Sequence, residues 1–339
     1  MYVRNGVILL NATIKDIAKV AGVSKSTVSR VLTNSGRFSE ESKKKVLEAA
    51  EKLKYTKNAL ARAMKTKETK NLGLIVYQKH KPILSHPFYA PVIEAIVENS
   101  MKLGYSIIIA TDQDIKGSSA ELLLEKRVDG IIFASFIDPS IIIKYKNQRM
   151  PLVLVNNSVD FPGVSYVKFN NFMGAYEAVT HLISKKHTDI GFISGPLTHR
   201  SYKERYYGYL SALKDNGIKV EKKVRVGNST LSEGNRLMTQ LLNSPQAPTA
   251  VFASNDMMAI GAIKAIKSNK LAIPEDIAII GFDNIEHGKL IDPSLSTIDA
   301  DKEEMGKKAV ELLIKEINKD QGFQRENILP TKLIVRETT

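Results

Sequence analysis

The sequence lacks cysteine altogether across its 339 residues. Without thiols it has no disulfide framework and no thiolate metal or redox site, a composition that fits a reducing compartment such as the cytoplasm. It also lacks any apolar run near the roughly 20 residues that span a bilayer. Residues 7–10 form an apolar run of only four residues. The apolar core of a signal peptide needs roughly 7 to 15. We therefore expect a cytoplasmic protein with no membrane partner.

The short motifs of common enzyme classes are also missing. The chain has no Walker A loop, no Gly-x-Gly-x-x-Gly after the first strand of its predicted α/β body and no His-Glu-x-x-His helix. Its histidines are scattered without the spacing of metal ligands, at positions 80, 86, 181, 187, 199 and 287. We therefore expect no catalytic residue, no metal and no cofactor, although residues distant in sequence could still converge in an active site.

The net charge is concentrated at one end of the chain. Residues 1–70 carry +10 of the total +13, so the other 269 residues are nearly neutral. A basic run is usually a solvated surface, but so large a surplus in one short segment is typical of a region that neutralises DNA phosphates.

Residues 13–34 show the pattern of two short helices joined by a glycine turn. Thr13 can cap the first helix, Asp16 can complete a capping box, and Gly22 can end the helix with a positive φ. The spacing predicts that four apolar residues of this helix share one face: Ile14, Ile17, Ala18 and Ala21.

The second helix of the pair has a polar N-terminal half. Ser24 can cap it, and the spacing of Val28, Val31 and Leu32 turns them inward. The residues that remain outward or near the N-terminus are Lys25, Ser26, Thr27, Ser29 and Arg30. Any small helical hairpin can carry capping serines and an apolar stripe, but beside the basic charge this pattern predicts a DNA-binding helix-turn-helix.

A third helix is predicted over residues 40–54. Ser39 precedes it, and its apolar face is expected to contain Val46, Leu47, Ala50 and Leu53. Residues 13–56 would then form an all-α headpiece, and residues 57–71 a basic hinge that orders only in company. Residues 1–12 are an extension of unknown role.

From residue 72 the pattern changes to short apolar runs that alternate with helical segments. Strands are predicted at 72–77, 106–110, 130–135, 152–156, 190–194, 250–254 and 277–282, and another strand-like run lies near the C-terminus. Helices are predicted at 91–103, 173–185, 202–216, 257–268 and 302–318. The length favours two doubly wound α/β lobes over residues 72–339, with a ligand cleft between them.

Several motifs occur together in a characteristic order. They are Thr-Ile-Lys-Asp-Ile-Ala to Thr-Val-Ser-Arg-Val-Leu (13–32), His-Pro-Phe-Tyr (86–89), Val-Asp-Gly-Ile-Ile (128–132), Gly-Phe-Ile-Ser-Gly-Pro (191–196), Ser-Asn-Asp-Met-Met-Ala-Ile-Gly (254–261) and Gly-Phe-Asp-Asn (281–284). In these motifs the chain resembles the lactose and galactose repressor family of bacterial transcription regulators. The resemblance implies a headpiece joined to a two-lobed effector domain of the periplasmic-binding-protein type.

The resemblance also implies a dimer on a near-palindromic double-stranded operator. Lys25, Ser26 and Arg30 then occupy base-reading positions, and the phosphate-anchoring positions are Thr13, Ser24, Thr27 and Ser29, with Arg37 as a further contact. For each single hydroxyl, a helix cap or a solvated side chain is the alternative. On the hinge, the corresponding residues are Asn58, Ala61 and Met64, with Met64 at the position of a minor-groove wedge.

In the effector domain, the resemblance assigns ligand contacts to Phe88, Asn156, Arg205, Asn255 and Asp283. Arg205 and Asp283 could hydrogen-bond a polar ligand from opposite sides, although without the resemblance an ordinary surface Arg and a turn-forming Asp would be preferred. Asn156, Ala300 and the absence of Trp depart from the lactose branch. The expected effector is therefore a sugar or sugar phosphate that is not lactose-like.

A homodimer is expected, because the chain carries no C-terminal leucine heptad of the kind that makes lactose-branch tetramers. Two other classes of protein are the alternatives. An extracytoplasmic solute receptor with the same two-lobed fold predicts a signal peptide and evenly distributed charge, and an enzyme predicts turnover of a candidate ligand. The charge distribution favours a ligand-responsive repressor.

Overall fold

The computed structural model describes residues 3–4, 7–8, 12–33, 36–53, 55, 68–77, 83–114, 127–158, 162–219 and 223–339. It divides the chain into two compact units, Met1–Thr69 and Lys70–Thr339, which are considered separately below. Within the N-terminal extension, strands β1 (Val3–Arg4) and β2 (Val7–Ile8) form one short antiparallel pair.

Three helices form the headpiece in the first unit: α1 (Ile14–Ala21), α2 (Lys25–Thr33) and α3 (Glu40–Lys52). The predicted capping box is present, since the Thr13 hydroxyl accepts from Asp16 N and the Asp16 carboxylate accepts from Thr13 N at 3.0 Å. Gly22 ends α1 with φ 65°, a conformation that a side chain would strain. The helix-turn-helix prediction is confirmed.

The headpiece core corrects one part of the α3 prediction. Val46 and Ala49 are buried against α1 and α2, with Ala50 and Leu53 packed beside them, whereas Leu47 is 49% exposed to solvent. The face at i, i+3, i+4 and i+7 runs through Val46 rather than Leu47, because neighbouring residues on a helix are about 100° apart. The helix ends at Lys52, and Lys54 lies outside the described residues.

The second unit contains two six-stranded sheets, each with its own lobe. The N-lobe sheet is fully parallel in the order β13-β7-β6-β5-β3-β4. Its strands are β3 (Asn71–Val76), β4 (Ser106–Thr111), β5 (Gly130–Ala134), β6 (Leu152–Val155), β7 (Ser165–Phe169) and β13 (Glu326–Leu329). The helices described in this lobe are α4 (Tyr89–Lys102), α5 (Pro139–Asn147) and α11 (Lys302–Asn318), and a 3-10 turn covers Ile83–Ser85.

The C-lobe sheet runs in the order β14-β12-β11-β10-β8-β9, and only β14 is antiparallel to its neighbour. Its strands are β8 (Ile190–Ser194), β9 (Val224–Val226), β10 (Ala250–Ala253), β11 (Ala278–Asp283), β12 (Ser296–Ala300) and β14 (Thr331–Ile334). Its helices are α6 (Asn171–Ser184), α7 (Arg200–Asp215), α8 (Leu231–Leu242), α9 (Asp256–Ser268) and α10 (Glu286–Leu290).

Three short crossings connect the lobes. The chain passes from β7 to α6 at Asn170, from β12 to α11 at Asp301, and from β13 to β14 at Pro330. The Asn170 and Asp301 side chains cap the helices that follow them. Because both lobes are parallel sheets, the carboxyl ends of their strands can face one cleft, where such folds bind ligands.

The seven predicted strands and five predicted helices of the body are present, with bounds within about two residues of those expected. The run near the C-terminus forms β14. Not predicted are β7, β9, β12 and β13, together with helices α5, α8 and α10. Across the described residues, every helix is too short or too polar to cross a membrane.

Candidate functional site

The second helix of the headpiece, α2, presents the predicted DNA-contacting side chains. Lys25, Ser26 and Arg30 are exposed, and Thr27 and Ser29 are half-buried. Ser24 is exposed at the N-terminus of α2, and its Oγ accepts from Thr27 N at 3.1 Å and lies 2.7 Å from Ser26 Oγ. Hydroxyls clustered at the positive end of a helix can hydrogen-bond the phosphate groups of a DNA backbone.

The remaining headpiece predictions fall at the edges of this surface. Thr13 is exposed, but its hydroxyl donates to Asp16 Oδ2 at 2.6 Å, so that proton is already used within the capping box. Arg37 is exposed beyond α2. The three hinge residues Asn58, Ala61 and Met64 lie outside the described residues.

The inner cleft lies between the two lobes of the second unit, and its empty space, with the open solvent at its mouth included, is about 670 Å³. Its N-lobe wall consists of residues that follow β3, β5 and β6, and its C-lobe wall of residues that follow β8, β9, β10 and β11. All five predicted effector residues line it: Phe88, Asn156, Arg205, Asn255 and Asp283. The fold thus brings together residues that are up to 195 positions apart in the sequence, from 88 to 283.

Arg205 and Asp283 form a buried ion pair in this cleft. Arg205 Nη2 lies 3.3 Å from Asp283 Oδ1, and the two side chains are 3% and 11% exposed. Arg205 also donates through Nε to Asn171 Oδ1 at 2.9 Å, and its guanidinium stacks 3.6 Å from the centre of the Phe282 ring. These contacts hold the guanidinium plane in place, which is what bidentate recognition of a ligand requires.

Two acceptor atoms on opposite walls lack a well-aligned hydrogen-bond donor among the described residues. Asp283 Oδ1 is close enough to Arg205 for an ion pair but lacks hydrogen-bond geometry, and Asn156 Oδ1 on the N-lobe is also unpartnered. Asn156 Nδ2 donates to Tyr89 OH at 3.1 Å, which orients the amide. Buried acceptors without donors are costly, so a ligand that donates to both would remove a penalty on each wall.

Aromatic rings complete the cleft. Phe88 is 5% exposed and packs edge-on against Tyr89 and Phe169, so it is a floor of the cleft and part of the core. Phe136 of the N-lobe stacks on His199 of the C-lobe at 4.6 Å with 8° between the ring planes. This stack spans the cleft and brings the lobes into contact.

His86 has a structural role at the cleft edge. Its Nδ1 accepts from Phe88 N at 3.2 Å and from Tyr89 N at 3.3 Å, at the start of α4. Burial lowers the pKa of His86 to about 4, so the ring is neutral at pH 7 and can accept both bonds. Burial raises the pKa of Asp283, while Arg205 and Lys302 oppose that shift.

A second carboxyl supports the site from behind. Asp256, fully buried at the start of α9, accepts from Thr297 Oγ1 at 2.6 Å and from Ile285 N at 2.8 Å. Burial, followed by the negative charge of Asp283, raises the pKa of Asp256 to about 8. Asp256 therefore holds Ile285, two residues after Asp283 at the end of β11, without needing a charge at neutral pH.

Several cleft residues were not among the predicted contacts, namely Tyr89, Ser135, Phe136, Asn157, His199 and Tyr202. Most of them directly follow a strand or begin the next helix, and this position was the available signal. Ala300, which departs from the lactose branch, is fully buried. Asn171, another polar residue at the first lobe crossing, orients Arg205 rather than lining the cleft.

The chain matches known proteins over both units. The model of the bacterial regulatory proteins of the lacI family matches residues 13–58, and that of a periplasmic binding protein-like domain matches residues 179–339. The HTH-type transcriptional repressor PurR of Pasteurella multocida (strain Pm70) is 36% identical over 334 residues, covering 96% of this chain and 98% of the relative. The probable HTH-type transcriptional repressor ExuR of Bacillus subtilis (strain 168) is 36% identical over 329 residues, with coverage of 96% and 98%.

A solved structure gives the same result for the fold. The lac repressor dimer bound to operator and the anti-inducer ONPF has a TM-score of 0.86 at 28% identity, and the match covers 97% of this chain and 99% of that chain. Relatedness therefore extends over the helix-turn-helix headpiece and the two-lobed body together. The chain belongs to the lacI family of bacterial regulatory proteins and is a DNA-binding transcriptional repressor of that family.

Proposed function

We propose that the chain binds a near-palindromic operator as a homodimer, and that a sugar in the inner cleft controls this binding. The similar lac repressor structure holds a dimer, an operator and an anti-inducer, which supports this arrangement. Such a repressor acts where the DNA is, so the cytoplasm is its proposed location. The relatives carry two different regulator names, PurR and ExuR, so we infer the chemical class of the ligand from the residues of the inner cleft.

The hydrogen-bonding inventory of the inner cleft carries the proposal. Arg205 has five N–H groups, and its contacts with Asn171, Ser254 and Asp283 leave donors for a ligand. Asp283 Oδ1, which is ion-paired with Arg205 at 3.3 Å, and Asn156 Oδ1, which has no donor among the described residues, can each accept a hydrogen bond from a ligand. A hydroxyl both donates and accepts, so a polyol satisfies the two walls at once.

The charge of the inner cleft supports an uncharged ring. Arg205 is compensated by Asp283 and Arg200 by Glu204, and the low pKa of His86 keeps its imidazole neutral at pH 7. Phe88, Tyr202 and the Phe136–His199 stack offer apolar faces to the carbon side of a sugar ring. A ligand held by both walls favours one separation of the lobes over others, which is how it would change affinity for DNA.

The test is a titration of DNA binding with ligand. We expect footprinting to protect a palindromic site, and calorimetry against a panel of sugars to identify a ligand that changes operator affinity by roughly 5- to 150-fold, the usual allosteric range. The direction of this change shows whether the ligand releases DNA or tightens the complex. Absence of any protected palindrome would contradict operator binding.

A pair of isosteric variants locates the ligand. Asp283→Asn removes the charged acceptor and should weaken ligand binding by roughly 10- to 150-fold, the worth of a charge-assisted hydrogen bond. Asp320→Asn makes the same chemical change at an exposed position after α11 and should leave binding unchanged. Both variants should bind operator normally without ligand. Equal ligand affinity in the two would exclude the inner cleft as the site.

A further inference from the structure

A second cavity adjoins the inner cleft on its solvent side. This outer chamber has a volume of about 1140 Å³ including its open mouth. Phe136, Asn157 and Arg200 line both cavities, so the two are continuous. The N-lobe contributes residues that follow β5 and β6, and the C-lobe contributes the first two turns of α7.

The outer chamber is positively charged. Arg200 and Lys203 line it, and Glu204, the one carboxylate among its described lining residues, is already engaged by Lys168 at 2.5 Å and by Arg200 at 3.3 Å. Lys203 is exposed, and its Nζ lies 5.9 Å from the centre of the Tyr207 ring. Among the described residues, no carboxylate forms an ion pair with Lys203. Its charge is therefore available to a ligand.

The start of α7 adds a second positive contribution. This helix has 16 residues, and the side chain of its N-cap residue, His199, makes no capping hydrogen bond. The first turn of a helix carries N–H groups without intrahelical acceptors and a partial positive charge. The turn borders both cavities, so an anion in the outer chamber would lie against it.

A buried hydroxyl on the opposite wall also lacks a partner within the described part of the chain. Ser158, which lines the outer chamber from the N-lobe, is 8% exposed, and its Oγ forms no hydrogen bond with any described residue. A hydroxyl is rarely buried without a partner, because the lost hydrogen bonds to water cost free energy. Its hydroxyl can donate to an anionic oxygen in the outer chamber.

We propose that the outer chamber is a second subsite of the effector cleft, and that it binds an anionic group of the ligand, either a phosphate ester or a carboxylate. Lys203, Arg200, the N-terminus of α7 and Ser158 would surround this group, while the polyol part of the ligand fills the inner cleft. The placement of the polyol part in the inner cleft rests on the proposed function.

Inorganic phosphate tests the subsite directly. The full chain is titrated with phosphate at constant ionic strength, and binding is followed by ³¹P NMR. We expect Lys203→Gln to weaken phosphate binding at least fivefold relative to wild type. The control Lys214→Gln makes the same charge change at an exposed position on the same helix and leaves any phosphate bound to the basic headpiece untouched. Identical titrations for wild type and both variants would overturn the subsite.

Ser158→Ala provides a second variant that does not alter charge. It should weaken phosphate binding and leave the thermal midpoint unchanged or raised, since no protein hydrogen bond is lost. A lowered midpoint with unchanged phosphate binding would show that the hydroxyl serves the fold rather than an anion.

A matched ligand set distinguishes the two sources of negative charge. Glucose, glucose 6-phosphate and glucuronate share one ring, so calorimetry on wild type and Lys203→Gln isolates the contribution of the anionic group. A tenfold advantage of either anionic ligand over glucose that disappears in Lys203→Gln supports the subsite and names its chemistry. An advantage that persists in the variant contradicts it.

The Asp283→Asn variant separates this inference from the proposed function. If the subsite exists, phosphate binding in Asp283→Asn equals that of wild type, whatever happens to sugar binding. Phosphate binding that depends on Lys203 while no sugar binds would refute a sugar in the inner cleft and leave the subsite standing. Sugar binding that depends on Asp283, together with phosphate binding that does not depend on Lys203, would refute the subsite and leave the sugar site in the inner cleft standing.

Discussion

The buried carboxyl of Asp256 should make the stability of the two-lobed body depend on pH in a direction opposite to that of a salt-bridged aspartate. Its side chain is fully buried, and its two close partners are a hydroxyl and a backbone N–H rather than a cation. Burial and the charge of Asp283 raise its pKa to about 8, from roughly 3.9 in the unfolded chain.

The sign and size follow from the two pKa values. Between about pH 4 and pH 8 the folded protein keeps this proton and the unfolded chain has lost it, so the folded state becomes less stable as the pH rises. One pKa unit corresponds to about 1.4 kcal/mol, so Asp256 alone should reduce the free energy of unfolding by about 3 kcal/mol from pH 5 to pH 7. The loss should level off above about pH 8, where the folded state also ionises.

Asp256→Asn is the matched perturbation. An Asn oxygen can accept from Ile285 N, and its amide can donate to Thr297 Oγ1, so the variant resembles the protonated acid. The free energy of unfolding of the variant minus that of wild type should rise by about 3 kcal/mol between pH 5 and pH 7. The difference reports Asp256 together with its electrostatic coupling to Asp283, because Asp283 faces a charge at position 256 only in the wild type.

The assay is urea unfolding at half-unit steps from pH 5 to pH 9 at constant ionic strength. Far-UV circular dichroism and tyrosine fluorescence report unfolding, because the chain has 12 Tyr and no Trp. A difference between variant and wild type that stays constant within about 0.5 kcal/mol would refute the reasoning, and so would a wild type that gains stability with pH.

Three other substitutions test the packing and the DNA-binding surface. Gly261→Ala places a Cβ 2.0 Å from Leu231 O, where α9 packs on α8, and should lower the free energy of unfolding of the body in urea by about 3 kcal/mol. The control Ser268→Ala on the same helix should lower it by less than about 0.5 kcal/mol. Arg30→Ala should remove about 1–3 kcal/mol of discrimination at one base pair, measured by anisotropy with operator variants, and an equal loss on every sequence would contradict base reading. Ser24→Ala should reduce headpiece stability by about 1 kcal/mol in thermal melts of the full chain, because the cap of α2 is lost, and an unchanged melt would count against that cap.

The headpiece was predictable because its signals are local. Thr13, Gly22 and Ser24 act on backbone groups within a few residues of themselves, so their spacing alone places the helix ends. The error at Leu47 arose because an apolar residue beside the buried face was assigned to that face. Its exposure depends on which side of α3 meets α1 and α2.

The body was predictable where strands are buried on both faces. β5, β8 and β11 are continuous apolar runs with every residue buried, and each was expected. β9 has only three residues, and β13 has alternating exposed positions at a sheet edge. Short strands of this kind gain their hydrogen bonds from a neighbour that is distant in sequence, so local patterns do not identify them.

By itself, the sequence determined the basic headpiece, the helix-turn-helix and the alternation of strands and helices, because charge, caps and periodicity act over a few residues. The resemblance to a known family, which the motifs carry, also named five residues that line one cleft. Only the tertiary structure decided that Phe136 meets His199 across this cleft, that the two hydrogen bonds to Asp256 come from a hydroxyl and a backbone N–H, and that Asn156 and Ser158 each have a buried polar atom without a partner among the described residues. Burial and partner geometry depend on chain segments far apart in sequence, and they set what the cleft can bind.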